Sequence, residues 1–350
     1  MKYLSLLALI SLLLAGSCEK EKPSGVNDTN PHFRVMFYNV ENLFDAIDDP
    51  LINDEEFLPG SPKKWTEKRY QDKIDHIAKV IKDLGKDTLP VLVGLCEVEN
   101  RKTVDDLIAK TALNGLDYKI IHHESPDSRG IDVALLFRSR YFQLIDSHFF
   151  AIRFPFDTAV RTREILYAHG ILGGKDTLHI FVNHWPSRSS GEIQSRPLRV
   201  WVAEAVRFRV DSILRKSPSA QILITGDFND EPMDLSVVSG LNALLSYGKP
   251  DAGKLYDLTQ GLKNSSPGGT YKYKGAWNLL DHMVVSGSIL DTSRILYSRP
   301  SDLHVFQAGY LLEPDKEYMG DRPLRTYLGS FYQGGYSDHL PVYLDIRYKK

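Results

Sequence analysis

The stretch Gly-Tyr-Ser-Asp-His-Leu-Pro-Val, residues 335–342, places an acid and a histidine directly before an apolar, strand-like segment. Carboxylates bind divalent cations and imidazoles move protons near neutral pH. Folds made of strands and helices often collect such groups just beyond strand ends. A single histidine in this position is more often structural than catalytic. The interpretation of His339 therefore depends on whether similar clusters recur along the chain.

Four other polar clusters follow strand-like segments in the same way. They are residues 37–45 (Phe-Tyr-Asn-Val-Glu-Asn-Leu-Phe-Asp), 94–100 (Gly-Leu-Cys-Glu-Val-Glu-Asn), 181–188 (Phe-Val-Asn-His-Trp-Pro-Ser-Arg) and 224–230 (Ile-Thr-Gly-Asp-Phe-Asn-Asp). Alone, the last cluster would be interpreted as a turn whose side chains bond their own backbone. Five such clusters in one chain indicate instead a shared site, in which a cation neutralises a phosphate and side chains activate water.

Strand-like and helix-like segments alternate between these clusters. The predicted strands are 33–40, 90–95, 133–137, 180–182, 222–225, 282–285 and 342–346. The predicted helices are 66–84, a helix capped by Asn100 that runs to residue 109, and 196–214 with Pro197 in its first turn. Interleaved strands and helices predict an α/β layered fold.

In residue types and in order, the clusters resemble the endonuclease/exonuclease/phosphatase superfamily, which includes deoxyribonucleases, abasic-site endonucleases, inositol-polyphosphate phosphatases and sphingomyelinases. The resemblance covers about residues 33–347, and its most specific parts are Gly-Asp-Phe-Asn (226–229) and Ser-Asp-His-Leu-Pro-Val (337–342). It implies a four-layer αββα sandwich, in which two mixed β-sheets pack face to face with helices outside. No second polar, turn-rich linker follows His32, so one domain over residues 32–350 is expected.

The resemblance implies roles for individual residues. The implied metal ligands are Asn39, Glu97 and Asp338, with Glu41 at a possible second site. The ion would be Mg²⁺, with Mn²⁺ or Ca²⁺ as alternatives. The implied catalytic residues are His184, Asp227, Asn229, Asp281 and His339. Asp227 and Asn229 would position the attacking water. The two histidines, one of them paired with Asp281, would share acid and base work, and which of them is the base stays open.

Two further residues have weaker roles. Arg163, in Thr-Arg-Glu-Ile-Leu (162–166), resembles the family arginine that contacts substrate phosphate, and a surface salt bridge is the alternative. Asp132 is a candidate to orient His184, with a structural hydrogen bond as the alternative. The pair His122 and His123 is not expected to bind one metal, because neighbouring strand residues point to opposite faces.

The N-terminal residues have the pattern of a secretion signal. Lys2 precedes the apolar segment 4–15, which is too short for a permanent membrane span. The segment ends in Leu-Ala-Gly-Ser-Cys (14–18), which resembles a bacterial lipoprotein processing site. We therefore predict a signal peptide at 1–17, a lipidated Cys18 that begins a flexible tether over 18–31, and an exported chain anchored to a bacterial membrane, facing the periplasm or the exterior. The alternative is an ordinary signal peptide that removes Cys18.

The sequence contains one further cysteine, Cys96, so lipidation of Cys18 would leave no intrachain disulfide. Cys96 lies within an apolar segment and is predicted to be buried.

The substrate is less defined than the reaction. A formal net charge of −2 gives no overall positive field toward nucleic acid or lipid. A secreted, metal-dependent nuclease is favoured. The alternatives are a phosphodiesterase or phosphatase for a phospholipid headgroup, an inositol phosphate or another small ester, and an inactive binding scaffold. The chain is expected to be monomeric and to touch the membrane only through its lipid.

Two features bear on that choice of substrate. Five arginines, Arg129, Arg163, Arg188, Arg196 and Arg199, would favour a nuclease if they formed one basic surface. Residues 147–156, rich in phenylalanine, are the nearest candidate for a membrane-contacting hairpin, although core packing explains those aromatic residues as well.

Overall fold

The computed structural model describes residues 31–349. The predicted signal peptide, Cys18 and all but the last residue of the predicted tether lie outside the described residues. Within residues 31–349, no helix has the length and apolarity needed to cross a bilayer.

Helices and strands alternate along the described chain. The helices are α1 (Glu67–Leu84), α2 (Arg101–Ala109), α3 (Glu192–Lys216) and α4 (Gly287–Leu290), and shorter 3₁₀ or π turns cover Glu55–Phe57, Ser236–Gly240, Thr259–Asn264, Pro300–Asp302 and Gly309–Leu311. The strands are β1 (His32–Leu43), β2 (Leu92–Val98), β3 (Tyr118–His122), β4 (Asp132–Arg138), β5 (Phe142–Phe150), β6 (Ile165–Leu172), β7 (Asp176–His184), β8 (Gln221–Asp227), β9 (Ala243–Leu244), β10 (Leu255–Asp257), β11 (Tyr271–Tyr273), β12 (Ala276–Asn278), β13 (Asp281–Ser286), β14 (Leu296–Tyr297), β15 (Leu303–Val305), β16 (Leu312–Pro314), β17 (Asp321–Pro323), β18 (Tyr327–Leu328), β19 (Phe331–Tyr332) and β20 (Val342–Tyr348).

Two large mixed sheets form the centre of the molecule. The first has the strand order β14-β20-β1-β2-β4-β3, with β15 also pairing β20. The second has the order β5-β6-β7-β8-β13-β10-β9. Side chains from both sheets, among them Phe37, Leu135, Val182 and Leu223, share one buried core. The sheets therefore pack face to face, and each needs a cover on its outer side.

Helices supply that cover. Helix α1 packs Ile74, Ile77 and Ile81 into a second core on the outer face of the first sheet. Helix α3 packs Val202 and Val206 against the outer face of the second sheet. The predicted αββα sandwich is therefore confirmed.

Local sequence explains where α1 begins and ends. Thr66 caps the helix, because its side chain accepts a hydrogen bond from the amide of Arg69. The helix stops at Gly85, whose amide bonds the carbonyl of Ile81. Asn100 caps α2 in the same way, through the amide of Thr103. The cap at Asn100 was predicted, whereas Thr66 was predicted as the first residue of its helix and is instead the cap.

The start predicted for the long helix α3 is wrong. The helix begins at Glu192, so Pro197 lies in its second turn and not in its first. A proline there cannot donate to the carbonyl four residues earlier. The side chains of Ser195 and Arg199 donate to the neighbouring carbonyls of Gly191 and Glu192. These bonds help stabilise the first turn of the helix, whose start the sequence pattern places later in the chain. Cys96 is buried, as predicted.

Candidate active site

The site lies where strands from both sheets end. In the second sheet, His184 on β7 pairs with Asp227 on β8, and Asp227 pairs in turn with Asp281 on β13. In the first sheet, Asn39 on β1 and Cys96 on β2 are in register, which places Glu97 beside the end of β1. The sheets bring together residues that are far apart in sequence, and three of the catalytic candidates stand on adjacent strands.

Gly226 allows the approach of β8 to β7 at this point. Its φ is 157°, and a Cβ atom there would lie 2.3 Å from the carbonyl oxygen of Asn183. A side chain at residue 226 would therefore push apart the backbone that carries Asp227 and His184. This requirement explains the glycine in the Gly-Asp-Phe-Asn segment.

Ser337 and Asp281 fix the position of His339. The Ser337 hydroxyl donates to the carbonyl of Asn39 (2.7 Å) and accepts from the His339 amide (3.1 Å). The imidazole Nδ1 of His339 lies 2.7 Å from Oδ2 of Asp281. This bond makes Nδ1 a donor and leaves Nε2 for chemistry.

Both candidate catalytic histidines face one oxygen of Asp227. Oδ2 of Asp227 lies 3.7 Å from Nε2 of His184 and 3.8 Å from Nε2 of His339. These separations exceed a direct hydrogen bond, so the three groups surround a gap that a water or a phosphoryl oxygen can bridge. The same oxygen accepts the side-chain amide of Asn39 at 3.0 Å, while Oδ1 accepts the backbone amide of Asn229 at 2.9 Å.

Burial and neighbouring charges shift the pKa values of the two histidines in opposite directions. Burial, with the charge of Asp281 acting in the same direction, raises the pKa of Asp227 to about 6. Burial alone would lower the pKa of His339, but the carboxylates of Asp281 and Asp227 outweigh it and raise that pKa well above its usual value. Burial and the positive charge of Arg163 lower the pKa of His184 well below its usual value. These shifts favour the protonated form of His339 and the neutral form of His184.

Glu97 has the properties of a metal ligand. Its Oε2 accepts the amide of Asn42 at 2.9 Å, whereas Oε1 receives no hydrogen bond from residues 31–349 and lies 3.9 Å from Nε2 of His184. A buried carboxylate with one open oxygen suits a hard cation. Asn39, which lies beside it, accepts the Glu41 amide through its side-chain oxygen. The two residues fit the divalent ion that the sequence predicts, and the ion would supply charge to neutralise a phosphate.

Glu41 and Asp338, the other two predicted metal ligands, are bonded to an arginine that the sequence motifs do not reveal. Nε of Arg325 lies 3.1 Å from Oε1 of Glu41, and Nη2 lies 2.6 Å from Oδ2 of Asp338. Oε2 of Glu41 accepts the backbone amide of Thr326 at 2.6 Å. No local motif marks Arg325, which is 284 residues from Glu41 in sequence.

Arg163 supports the loop that carries His184. Its guanidinium pairs with Asp127 (3.0 Å) and donates to the carbonyl of Trp185 (2.8 Å), the residue after His184. The side-chain amide of Asn229 donates to the same carbonyl at 3.1 Å. The salt bridge that was the alternative role for Arg163 is present, but it is buried and not at the surface. The contact of Arg163 with phosphate stays a prediction.

The predicted pairing of Asp132 with His184 is wrong. The Asp132 carboxylate accepts the amide of Ser125 (2.9 Å) and faces Nε2 of His122 (3.5 Å). Nδ1 of His184 has no hydrogen-bond partner among the described residues. Asp132 therefore has the structural role that was the alternative. His123 turns the other way, to Glu164 at 2.9 Å, so the two adjacent histidines do not share a ligand.

Tyr271 is a second site residue without a sequence prediction. It pairs with His339 across an isolated bridge, and their rings lie 4.9 Å apart. The hairpin of β11 and β12 extends from this contact, with Tyr273, Lys274 and Gly275 at its turn. The segment Tyr-Lys-Tyr-Lys-Gly contains the alternation and the turn residue of a hairpin, which is the signal that would have revealed it.

The sequence profile of the Endonuclease/Exonuclease/phosphatase family matches residues 34–348. The chain belongs to this family. Endonuclease/exonuclease/phosphatase enzymes are phosphoesterases that use divalent metals, and the chain is accordingly a metal-dependent phosphoesterase. The alternative of an inactive scaffold is therefore set aside. None of the curated proteins compared matches the chain.

Several solved structures have the same fold as this chain. A family protein from Bacteroides thetaiotaomicron is 15% identical with a TM-score of 0.55, and the match covers 91% of this chain and 99% of that one. Humanised TDP2 from D. rerio is 14% identical with a TM-score of 0.54, covering 90% and 99%. The human Nocturnin catalytic domain is 16% identical with a TM-score of 0.51, covering 91% and 96%. At these identities the likeness concerns the fold alone.

Proposed function

We propose that the chain is an exported, Mg²⁺-dependent nuclease. The observation that carries the choice of substrate is the β11–β12 hairpin, which extends from His339 and presents Tyr273 and Lys274 at its turn. The Tyr273 side chain is exposed, and Nζ of Lys274 lies 5.3 Å from the centre of its ring. An exposed ring beside a cation, next to a catalytic histidine, is suited to a stacked base and its phosphate.

The residues of the chain divide the reaction between them. Asp227, a carboxylate above pH 6, accepts a proton from the attacking water, and the Asn229 amide orients that carboxylate. The His339 imidazolium donates from Nε2 to a phosphoryl oxygen and stabilises the charge that develops on it. His184, neutral and across the gap, contacts the phosphate near the leaving oxygen, which takes up a proton from solvent as its bond to phosphorus breaks. Mg²⁺ bound at Glu97 would supply the remaining positive charge.

The five arginines of the sequence do not form one basic surface. Arg188 pairs with Asp230 and Asp234, Arg199 is buried against Asp230, and Arg196 faces Glu192. Arg163 is buried with Asp127.

Arg129 remains partly exposed beside the site, where it donates to Asn42 at 2.8 Å and lies 3.8 Å from Glu97. It is the member of the five that a substrate backbone can reach there. Nucleic-acid binding would then depend on a few contacts at the rim and not on a long basic track.

Phosphodiester bonds in phospholipid headgroups are a second candidate, and one observation favours them. Met319, at the turn of the β16–β17 hairpin, is 95% exposed, next to the half-exposed Tyr318. Lys272 of the β11–β12 hairpin, whose side chain is buried, donates to the Met319 carbonyl at 2.8 Å. An apolar tip attached to the site in this way is suited to contact with a lipid surface.

The segment considered for that contact in the sequence does not form a hairpin. Residues 142–150 are the edge strand β5, and Phe154 is buried in the core below α3. Phe156 is exposed and packs on Trp201, with ring centroids 6.0 Å apart. The membrane hypothesis therefore depends on Met319 and not on residues 147–156.

Hydrolysis of a substrate panel tests the proposed function. Single-stranded and double-stranded DNA, RNA, phosphatidylcholine vesicles and inositol phosphates would be incubated at one Mg²⁺ concentration, with EDTA as a parallel condition and His339→Ala as the inactive control. We expect nucleic acid to be cut with Mg²⁺ and not with EDTA. Hydrolysis of the lipid or of an inositol phosphate with all nucleic acids intact would contradict the nuclease assignment.

We also propose that the chain is a monomer, exported and anchored through Cys18. The support for export and anchoring is the sequence pattern at residues 14–18 alone. In the producing bacterium, the wild-type chain should partition with membranes and incorporate labelled palmitate, and Cys18→Ser should do neither. Release of wild-type chain into the medium without label would contradict the anchor.

A further inference from the structure

Arg325 links two acidic side chains across the metal-binding region. Glu41 is buried, and its two oxygens are bonded to Nε of Arg325 and to the amide of Thr326. Asp338 receives Nη2 of the same guanidinium at 2.6 Å. One arginine therefore places positive charge between the two carboxylates that the sequence assigns to metal binding.

A second cation lies beneath this arrangement. Lys73 on α1 is fully buried, and its ammonium donates to the Thr326 hydroxyl (2.6 Å) and to the Tyr336 carbonyl (2.7 Å). Its charge acts on Glu41, Asp338 and Glu97. The region thus holds three carboxylates together with two fixed cations.

This balance leaves one carboxylate available to a divalent ion. Both oxygens of Glu41 are satisfied by donors, and Asp338 forms a short bond with a guanidinium. An ion that bridged Glu41 and Asp338 would have to displace Arg325 and leave its charge unpaired beside Lys73, which is unfavourable. Glu97, in contrast, has an oxygen without a donor from residues 31–349.

We propose that Arg325 takes the place of a second divalent cation, so that the enzyme binds one ion, at Glu97. The guanidinium holds Glu41 and Asp338 in place and supplies a fixed positive charge near the reacting phosphate. Its Nη1 group has no partner among the described residues, which leaves a donor for substrate. This inference rests on the metal-dependent hydrolysis proposed above.

The number of bound ions tests the proposal without any substrate. Mn²⁺ would be added to the metal-free protein, with free ion measured by electron paramagnetic resonance and folding checked by circular dichroism. We expect one Mn²⁺ per wild-type chain, and two per chain in Arg325→Gln, where Glu41 and Asp338 lose their cation. Two ions in the wild type, or one ion in both proteins, would overturn the proposal.

Matched variants separate this effect from a general change of charge. Arg322, in the preceding strand, pairs with Glu313 at 2.9 Å and lies in a separate ion pair, so Arg322→Gln should keep one ion. If Arg325→Gln fails to fold, the ion count of Asp338→Asn tests the proposal instead. It should still bind one Mn²⁺, with a Kd within about fivefold of the wild type, because Asp338 acts on the ion only at a distance. Loss of the ion in Asp338→Asn would overturn the proposal.

The two proposals fail in different ways. A wild-type protein that binds one ion but does not cut nucleic acid would contradict the nuclease assignment and leave the role of Arg325 intact. A wild-type protein that cuts nucleic acid but binds two ions would contradict the role of Arg325 and leave the nuclease assignment intact.

Discussion

Asp281 and His282 are neighbours on β13, and each forms a buried histidine–aspartate pair with a different partner. Oδ2 of Asp281 bonds Nδ1 of His339 at 2.7 Å, and Nδ1 of His282 bonds Oδ2 of Asp257 at 2.9 Å. Because successive strand residues point to opposite faces, one pair lies in the site and the other in the core. The strand thus carries one pair in the site and one in the core, and the pair of His282 and Asp257 can serve as a control for the pair in the site.

Replacement of Asp281 by Asn should lower kcat by about a hundredfold or more, the scale of losing a correctly oriented acid–base group. The amide can still bond His339, but it no longer stabilises the imidazolium. KM should change little, since Asp281 does not face the substrate. Steady-state kinetics on the substrate identified by the panel would measure both.

Asp257→Asn is the matched control for that variant. It removes the negative charge of the core pair in the same way and should leave kcat within about threefold of the wild type at temperatures where the protein is folded, because transition-state stabilisation is unaffected. Equal losses of kcat in the two variants would mean that the effect of Asp281 is structural.

Mg²⁺ should raise the thermal stability of the wild-type protein through Glu97. Binding to the folded state alone stabilises it by about 2.7 kcal/mol at an ion concentration one hundred times Kd. Glu97→Gln should lose this increase in Tm, whereas Glu204→Gln, an exposed residue of α3, should keep it. Differential scanning fluorimetry with and without Mg²⁺ measures the change. An unaltered Mg²⁺ response in Glu97→Gln would place the ion elsewhere.

Tyr273→Ala should weaken binding of single-stranded DNA without slowing the chemical step. Loss of one stacked base contact costs about 1–3 kcal/mol, so KM should rise about 5- to 150-fold with kcat nearly constant. Phe208→Ala, which removes a similarly exposed ring from α3, serves as the control. If KM for DNA is unchanged while Met319→Ser abolishes hydrolysis of vesicles, the lipid is the substrate.

The pair of His282 and Asp257 should make stability depend on pH. Burial alone would lower the pKa of His282, but the charge of Asp257 outweighs it, so the folded-state pKa lies above the usual value. The stabilisation is then complete below about pH 6.5, the unfolded value, and is lost as pH rises through the folded pKa. The deficit in the free energy of unfolding of Asp257→Asn, about 3–5 kcal/mol at pH 6, should shrink toward pH 9. Urea titrations across that range measure it, and a constant deficit would show that His282 stays neutral.

Much of the fold follows from sequence because its central strands are apolar throughout. The strands β2 and β8 are buried along their whole length, and each ends in a polar cluster that sequence patterns reveal. Strands β3, β5 and β6 do not follow from the sequence patterns. The edge strand β5 is half exposed and mixes polar with aromatic residues, so its pattern resembles a loop. The strands of the short hairpins between residues 271 and 332 have too few residues to show the alternation of polar and apolar side chains that predicts a strand.

The candidate active site is predictable for a different reason. His184, Asp227, Asp281 and His339 each stand at a strand end within a recognisable motif. Arg325 and Lys73 belong to no motif, and they meet Glu41 and Thr326 across more than half of the chain, through tertiary packing alone. The role predicted for Asp132 is wrong because proximity in sequence to a strand end does not say which histidine, His122 or His184, the carboxylate will face.

The direction of β1 has a consequence for how an anchored enzyme would meet its substrate. The chain enters the fold at His32 and reaches Asn39 seven residues later, roughly 23 Å away at about 3.3 Å per residue. A bilayer attached ahead of His32 would therefore lie behind the domain, with the catalytic edge turned outward. Polymers in the surroundings would reach that edge directly. A phospholipid of the same leaflet would be reached only if the domain rotated on its tether until the catalytic edge faced the bilayer. Shortening residues 19–31 should therefore suppress lipid hydrolysis and leave nuclease activity unchanged.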